Sequence, residues 1–170
     1  IGLLKYLADP DTELADIVYW QLGSLAKVSW DNLLYVTPII VLTLAGLLAM
    51  RWRMNVLSLS DQEAASLGVN VNRERLAVIA LATLLTASAV CLSGTIGWIG
   101  LILPHLARML VGGNHAQLLP ATAVLAASFL MLADLLARTL TSAEVPLRIL
   151  CGFVGTPFFA WILYRQRRYF

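Results

Sequence analysis

The stretch that decides the fold is LAVIALATLLTASAVCLSGTIGWIGLILPHLA, residues 76–107, which contains no Asp, Glu, Lys or Arg. A single α-helix over the slightly longer run Leu76–Leu110 would be about 52 Å long, because each residue adds ~1.5 Å. The hydrocarbon core of a bilayer is only ~30 Å thick, so this run is too long for one crossing. Ser93-Gly94 is the natural break, and we expect two short spans joined there by a tight turn.

Charge is also missing from Asn32–Met50, Met109–Ala133 and Ile149–Tyr164. The 170-residue sequence is 59% hydrophobic and 13% charged, whereas soluble domains are ~25% charged. A membrane helix needs ~20 mostly apolar residues. We therefore predict an all-α, polytopic transmembrane helical bundle over residues 1–170, with Ile1–Leu7 as the tail of an earlier helix. The five full crossings are expected at Leu33–Met50, Leu76–Leu92, Thr95–Leu110, Leu118–Ala137 and Leu147–Tyr164.

Five crossings separate the charges by sign. One side receives most of the cations: Arg51, Arg53, Arg73, Arg75, Arg108, Arg165, Arg167 and Arg168. The other side receives Lys5, Lys27, Arg138 and Arg148, together with most of the acidic residues. Cytoplasmic loops of membrane proteins are enriched in Lys and Arg, so the arginine-rich side is predicted to be cytoplasmic.

Two short helices are predicted outside the spans. In the polar stretch 55–72, Ser60 is placed to cap a helix, Glu63 to close a capping box and Gly68 to end the helix. On the opposite side, Asp9-Pro10 can start a helix that ends near Gly23-Ser24, because apolar residues recur there at helical spacing. An ordinary connecting loop is the alternative for this second segment.

Glycine and proline mark two candidate sites within the spans. Gly94, Gly97 and Gly100 are three residues apart, so on a helix they would share a face that a neighbouring backbone could approach closely. A bend or a pathway lining is the alternative interpretation. Gly155 and Pro157 interrupt the last predicted span, which indicates a kink with or without a pathway beside it.

Sites of other kinds are not indicated by the sequence. No phosphate-binding loop is present, so any energy source must come from a partner. The histidines His105 and His115 lack a nearby cluster of metal ligands, and no metal site and no catalytic residue is predicted.

Asp134 and Arg138 are four residues apart and can pair on one helix face. Arg138 and Glu144 bracket an outer loop that could form a docking rim for an extracytoplasmic protein.

The motifs taken together resemble the FecCD family, the permeases of ABC importers for iron-siderophores, haem and cobalamin. The specific block is GWIGLILPHLAR, residues 97–108. The supporting blocks are Tyr19–Ser24, Ala64–Val69, Leu118–Pro120, Ala133–Arg138, Glu144–Pro146 and Gly155–Phe159. A permease of this family is about twice as long and has ten spans, so the resemblance implies that this chain is the C-terminal half.

The resemblance also implies partners and roles. The permease forms a homodimer or a pair with another permease in the bacterial inner membrane. It binds ABC ATPase subunits, which carry ATP and Mg²⁺, and a periplasmic substrate-binding protein. The permease is surrounded by membrane lipid. No nucleic-acid partner is expected, and the chain is expected to have no cofactor of its own. Arg138 matches the family position that meets a glutamate of the binding protein, and the short outer helix matches a moving gate. The stretch 55–72 is assigned as the cytoplasmic coupling-helix segment, and its ATPase-coupling residues are Leu57, Ser60, Asp61, Glu63, Ala64, Ala65, Leu67 and Gly68.

The substrate is left open among several metal chelates and related ions. An iron(III)-siderophore is preferred, with haem, cobalamin and molybdate as alternatives within the family. Two other function classes are weighed against an importer. A passive channel with residues 93–100 as its filter would conduct without ATP and would not bind a nucleotide-binding subunit. The other class is a non-transporting scaffold or an inactive truncated product.

Overall fold

The structure is a computed structural model, and it describes residues 2–9, 13–25, 28–140 and 145–166. The described residues form helices and connecting segments without a strand. The helices are α1 (Gly2–Leu7), α2 (Glu13–Leu22), α3 (Trp30–Ala49), α4 (Arg51–Leu57), α5 (Asp61–Ser66), α6 (Val71–Ser93), α7 (Ile99–Val111), α8 (His115–Thr139) and α9 (Leu147–Gln166). The predicted all-α class is therefore confirmed for this part of the chain.

Three of these helices, α3, α6 and α8, are long and apolar enough to cross a membrane. Only 11% of the apolar window of α3 is buried within the chain, and its Leu34, Tyr35 and Leu42 are 70%, 80% and 73% exposed. An apolar surface of this extent is unfavourable in water, so lipid or other protein must cover it.

The third predicted crossing, Thr95–Leu110, has a different start in the structure. Helix α7 begins at Ile99 instead of Thr95, and its 13 residues span only ~20 Å. Gly94 and Trp98 have left-handed backbone conformations, with φ of 68° and 70°, which a helix cannot contain. Helix α9 includes a shorter apolar part, Leu147–Trp161. The count of five crossings stays a prediction.

The chain divides into two compact units, one of which comprises Ile1–Val28, Ser93–Ile102 and Ser128–Phe170. Its core joins the second half of α8 to the start of α9 through Ala133, Ala137, Leu147 and Cys151. Partly buried side chains pack around this core: Leu25, Ile96, Ile99, Phe129 and Leu150. Cys151 is thus a core residue as its apolar surroundings suggest, whereas Cys91 in α6 is exposed.

The other unit comprises Ser29–Leu92 and Leu103–Ala127. Within it, α3 and α6 approach closely at Gly46, where a Cβ atom would lie 3.2 Å from Leu81 Cδ1. The Thr43 and Ser88 hydroxyls donate hydrogen bonds to carbonyls of their own helices, those of Ile39 and Leu84. Such internal bonds allow polar side chains to sit in apolar surroundings without an unsatisfied group.

Candidate functional site: a capped helix and a glycine junction

The capping box of α5 is present. The backbone N–H of Glu63 donates to Ser60 Oγ at 3.3 Å, and the backbone N–H of Ser60 donates to Glu63 Oε2 at 3.1 Å. The Ser60 hydroxyl donates to the same carboxylate oxygen at 2.8 Å. These hydrogen bonds, the hydroxyl first and the backbone N–H second, lower the pKa of Glu63. The carboxylate is therefore ionised at neutral pH, and the predicted start of the helix is confirmed.

Gly68 ends α5 as predicted. Its φ of 76° is left-handed, and its N–H donates to the Ala65 carbonyl at 2.9 Å. A Cβ atom at Gly68 would meet no atom within 4 Å. Glycine is therefore favoured here by the left-handed backbone conformation and not by steric crowding.

Segment 57–68 has one buried side chain, that of Ala64, and most of its other side chains are exposed. Ala64 is 1% exposed, whereas Leu59 and Leu67 are 46% and 61% exposed. Leu57 is half-buried, and the other residues assigned to coupling are exposed: Ser60, Asp61, Glu63, Ala65 and Gly68. The structure therefore places the predicted coupling residues along one short segment, from the end of α4 through α5, in which most side chains are exposed.

Ion pairs connect this segment and α4 to the start of α6. Arg75 bonds Asp61 at 2.9 Å, and Arg53 pairs with Glu74. Exposed pairs of this kind contribute only ~0.2–1 kcal/mol each. Their significance is positional, because they show that these arginines from different helices lie at the same end of the unit.

A second connection was not predicted from the sequence. Asn55 Nδ2, on α4, donates to Asn114 Oδ1 at 2.8 Å, and the backbone N–H of His115 donates to Asn55 Oδ1 at 2.8 Å. His115 Nδ1 lies 2.9 Å from the same Asn55 oxygen. We call this group, Asn55, Asn114 and His115, the asparagine joint. An asparagine immediately before a helix is a capping signal for Asn114, but nothing near Asn55 in the sequence indicates its partner.

The other unit contains a glycine junction, formed by Gly23 and Gly94 with their neighbours. A Cβ atom at Gly94 would lie 2.2 Å from the Trp20 carbonyl oxygen and 3.3 Å from Gly23 Cα. The backbone N–H of Thr95 donates to the Trp20 carbonyl at 3.2 Å, and that of Ser24 donates to the Ser93 carbonyl at 3.0 Å. Gly94 therefore allows two backbone segments to touch.

The predicted helical glycine face is wrong, because Gly94 and Gly97 precede α7 and do not lie on a helix. A Cβ atom at Gly97 would be 3.8 Å from Arg148 Nε, and one at Gly100 would meet no atom within 4 Å. Of these three glycines, Gly94 is the one at which another backbone segment approaches closely, and that segment is the end of α2.

The last carbonyls of α2 find partners outside their own helix. Thr95 Oγ1 donates to the Gln21 carbonyl at 2.9 Å, and the Arg148 guanidinium donates to the same oxygen at 3.1 Å. The Leu147 N–H donates to the Gly23 carbonyl at 3.1 Å. Helix ends leave carbonyls unpaired unless such donors are supplied, so the 93–97 segment and the start of α9 both hold the end of α2.

Gly155 lies where α9 meets the start of α7. A Cβ atom there would be 2.7 Å from Ile102 Cδ1 and 2.9 Å from Trp98 Cβ, so this glycine serves packing. Helix α9 continues through Pro157, and the kink expected at this position stays a prediction. The Trp98 ring contacts Phe159 edge-on, with centroids 6.4 Å apart.

The predicted pair on α8 is confirmed, since Arg138 Nε donates to Asp134 Oδ2 at 2.9 Å. Glu144, the other predicted docking residue, lies outside the described residues. Among the residues that the structure describes, no three His, Cys, Asp or Glu side chains are grouped to hold a metal ion.

Comparison with known proteins identifies a family. The FecCD transport family model matches residues 1–165. The chain is 44% identical over 168 residues to the molybdate import system permease protein MolB of Haemophilus influenzae, with 99% of this chain and 50% of the relative covered. It is 43% identical over 169 residues to the hemin transport system permease protein HmuU of Yersinia pestis, with 98% and 50% covered.

A solved structure has the same fold. It is described as an inward-facing conformation of a metal-chelate type ABC transporter, and it superimposes with a TM-score of 0.92 at 44% identity. The match covers 96% of this chain and 53% of the solved one. The chain thus spans about half the length of the relatives that it matches. The sequence and the fold agree, and the chain belongs to the FecCD transport family.

Proposed function

We propose that the chain acts in the permease of an ABC importer, and that segment 57–68 is the binding site for a separate ATPase subunit. The observation that carries this proposal is the capped, exposed helix α5, which Ala64 seats on its unit and Asp61 ties to α6. An exposed helix that is stable without its partner can be displaced by a conformational change of the ATPase and can transmit that displacement to the membrane helices. The ATP and Mg²⁺ belong to that ATPase, and the chain itself supplies no catalytic group.

The complete importer is proposed to contain two permeases, ABC ATPase subunits and a periplasmic substrate-binding protein in the bacterial inner membrane. Family membership supports this assembly. Exposed apolar residues on α3 also suit a protein whose surface faces lipid or a second permease.

The proposed cargo is a metal chelate, with an iron(III)-siderophore preferred and haem, cobalamin or molybdate as alternatives. An open, mostly apolar concavity of about 530 Å³ lies along α9 and includes Phe153, Thr156 and Pro157. A weakly binding, apolar surface suits a large chelate that must pass without being trapped. We therefore assign Pro157 to the pathway and Gly155 to packing.

The ATPase site is tested by pull-down of the ATPase with the permease in detergent, comparing wild type with Glu63→Arg and Gly68→Trp. We expect both variants to weaken association about tenfold or more, which corresponds to ~1.4 kcal/mol. Glu63→Arg breaks the capping box, and Gly68→Trp places a large side chain in a left-handed conformation on the exposed end of α5.

Two matched variants change the same residues but keep the capping box and the left-handed conformation. Glu63→Gln can still close the box, and Gly68→Asn tolerates the left-handed conformation. Both should bind nearly as wild type does. Wild-type binding by Glu63→Arg and Gly68→Trp would refute the assignment of segment 57–68.

The docking site for the binding protein is proposed at Arg138. Its ion pair with Asp134 orients the guanidinium at the end of α8. Arg138→Glu should weaken binding-protein docking at low salt, where charge attraction is least screened, while ATPase association stays intact. Arg138→Lys, which keeps the charge, should retain most of the docking. Equal docking by wild type and Arg138→Glu would contradict the role.

A further inference from the structure

We propose that Asn55 and Asn114 are positioning residues that make the start of α8 follow segment 57–68 when the ATPase moves it. The inference rests on the proposed function of that segment. It assigns a transmitting contact to two neutral side chains that are not among the residues assigned to ATPase coupling.

The asparagine joint is a helix cap supplied by a different helix. The first N–H groups of an α-helix have no partner within it. In α8, the His115 N–H is satisfied by Asn55 Oδ1 at 2.8 Å and the Ala116 N–H by Asn114 Oδ1 at 3.0 Å. Asn55 Nδ2 then joins the two caps through its 2.8 Å bond to Asn114. The first turn of α8 is therefore completed only when α4 is in place.

Asn55 is bound through its backbone as well as its side chain. Its carbonyl accepts from the Ser58 N–H at 3.3 Å and from the Ser58 hydroxyl at 2.6 Å, at the point where α4 ends and segment 57–68 begins. One residue thus closes α4 with its main chain and caps α8 with its side chain. A displacement of the segment that moves Asn55 must either carry the α8 terminus with it or break these bonds.

The joint differs in kind from the ion pairs that also hold the segment. Arg53–Glu74 and Arg75–Asp61 are exposed charge pairs that salt weakens. The bonds of Asn55 to Asn114 and to the His115 N–H join neutral groups, and the bond to His115 is partly buried. The Asn55–Asn114 bond is exposed, but salt weakens bonds between neutral groups less than it weakens charge pairs, so the joint is less salt-sensitive than the ion pairs.

The experiment uses the assembled importer, with ATPase and binding protein, in proteoliposomes loaded with a ferric siderophore as the probe substrate. Two quantities are measured for each variant: the affinity for the ATPase and the number of ATP molecules hydrolysed per substrate transported. Asn55→Ala and Asn114→Ala should keep ATPase affinity within about twofold of wild type. The ATP used per substrate should rise about 5- to 10-fold, as expected for loss of a coupling contact.

Asn114→Asp is the matched control. Its carboxylate can accept from Asn55 Nδ2 and from the Ala116 N–H, and aspartate is as good an N-cap as asparagine. It should restore a nearly wild-type ratio, which a general loss of packing would not explain. If Asn55→Ala fails to fold, the Asn114→Ala and Asn114→Asp pair carries the test alone.

The double variant Asn55→Ala/Asn114→Ala should be little worse than either single variant, because each removes the same joint. An unchanged ATP ratio in the alanine variants, or loss of ATPase affinity in step with the ratio, would overturn the inference. Failure of the proposed function gives a different result. In that case Glu63→Arg, with Asn55 and Asn114 intact, would bind the ATPase as tightly as wild type does.

Discussion

At the scale of single residues, Gly94 has the most restrictive surroundings. Its φ of 68° favours glycine, and the Trp20 carbonyl occupies the position that a side chain would need. Gly100, six residues later, lies in α7 with open space around it. The two glycines belong to the same sequence motif but meet opposite constraints, which makes them a matched pair.

Gly94→Ala should destabilise the protein by about 2–4 kcal/mol, combining left-handed strain with the displacement of a neighbouring backbone. Gly100→Ala should leave stability unchanged or raise it by up to ~1 kcal/mol, since alanine favours helix. The measurement is the thermal unfolding midpoint of each variant in the same detergent. Equal losses in both variants would show that the Gly94 contact is not what holds these segments together.

The contrast between Ser60 and Asn55 shows which residue contacts a sequence can predict. Ser60 and Glu63 are three residues apart, and the geometry of one helical turn alone brings them together. Asn55 and Asn114 are separated by 59 positions. Their meeting depends on how α4 and α8 are placed by the rest of the unit, which no local pattern records.

At the scale of helices, the same distinction explains the start of α7. Hydropathy favours a helix from Thr95, because residues 95–98 are mostly apolar or small. The backbone of Thr95 instead bonds the end of α2, and Gly94 turns the chain there. Tertiary hydrogen bonding overrides the local preference. By contrast, the break after Ser93 and the ends of α2 and α5 follow from glycine positions and are predictable.

The end of α2 provides the prediction at this scale. Thr95 Oγ1 and the Arg148 guanidinium donate to the same oxygen, the Gln21 carbonyl. Thr95→Val or Arg148→Met alone should therefore cost no more than ~1 kcal/mol, because the remaining donor still satisfies that carbonyl. The double variant should cost more than the sum of the singles, since a partly buried carbonyl then loses both partners.

Hydrogen exchange of the amides of residues 19–23, measured with the thermal midpoint, reports this effect locally. Thr139→Val is a suitable control, because the Thr139 hydroxyl donates to carbonyls of its own helix, those of Leu135 and Leu136. Strictly additive losses would mean that water replaces either donor freely and that α2 is held by other contacts.

At the scale of the whole molecule, the sequence predicts the positions of the long apolar helices well and the number of membrane crossings less well. Charge-free runs mark α3, α6 and α8, all of which reach membrane length. Helices α7 and α9 have shorter apolar parts, so length alone does not decide whether each crosses. The division of arginines and acids between the two sides is therefore the evidence on which the topology depends.

Helix α8 permits a direct test of that topology. Its 25 residues span ~38 Å, enough to cross a ~30 Å core, so Gly113 before it and Arg138 near its end should face opposite sides. Single cysteines are introduced at Gly113, Glu63 and Arg138 after Cys91→Ser and Cys151→Ala. A membrane-impermeant maleimide should label the first two only in inside-out vesicles and the third only in right-side-out vesicles. Labelling of Glu63→Cys and Arg138→Cys from the same side would exclude the proposed arrangement, because the ATPase and the binding protein would then compete for one face of the membrane.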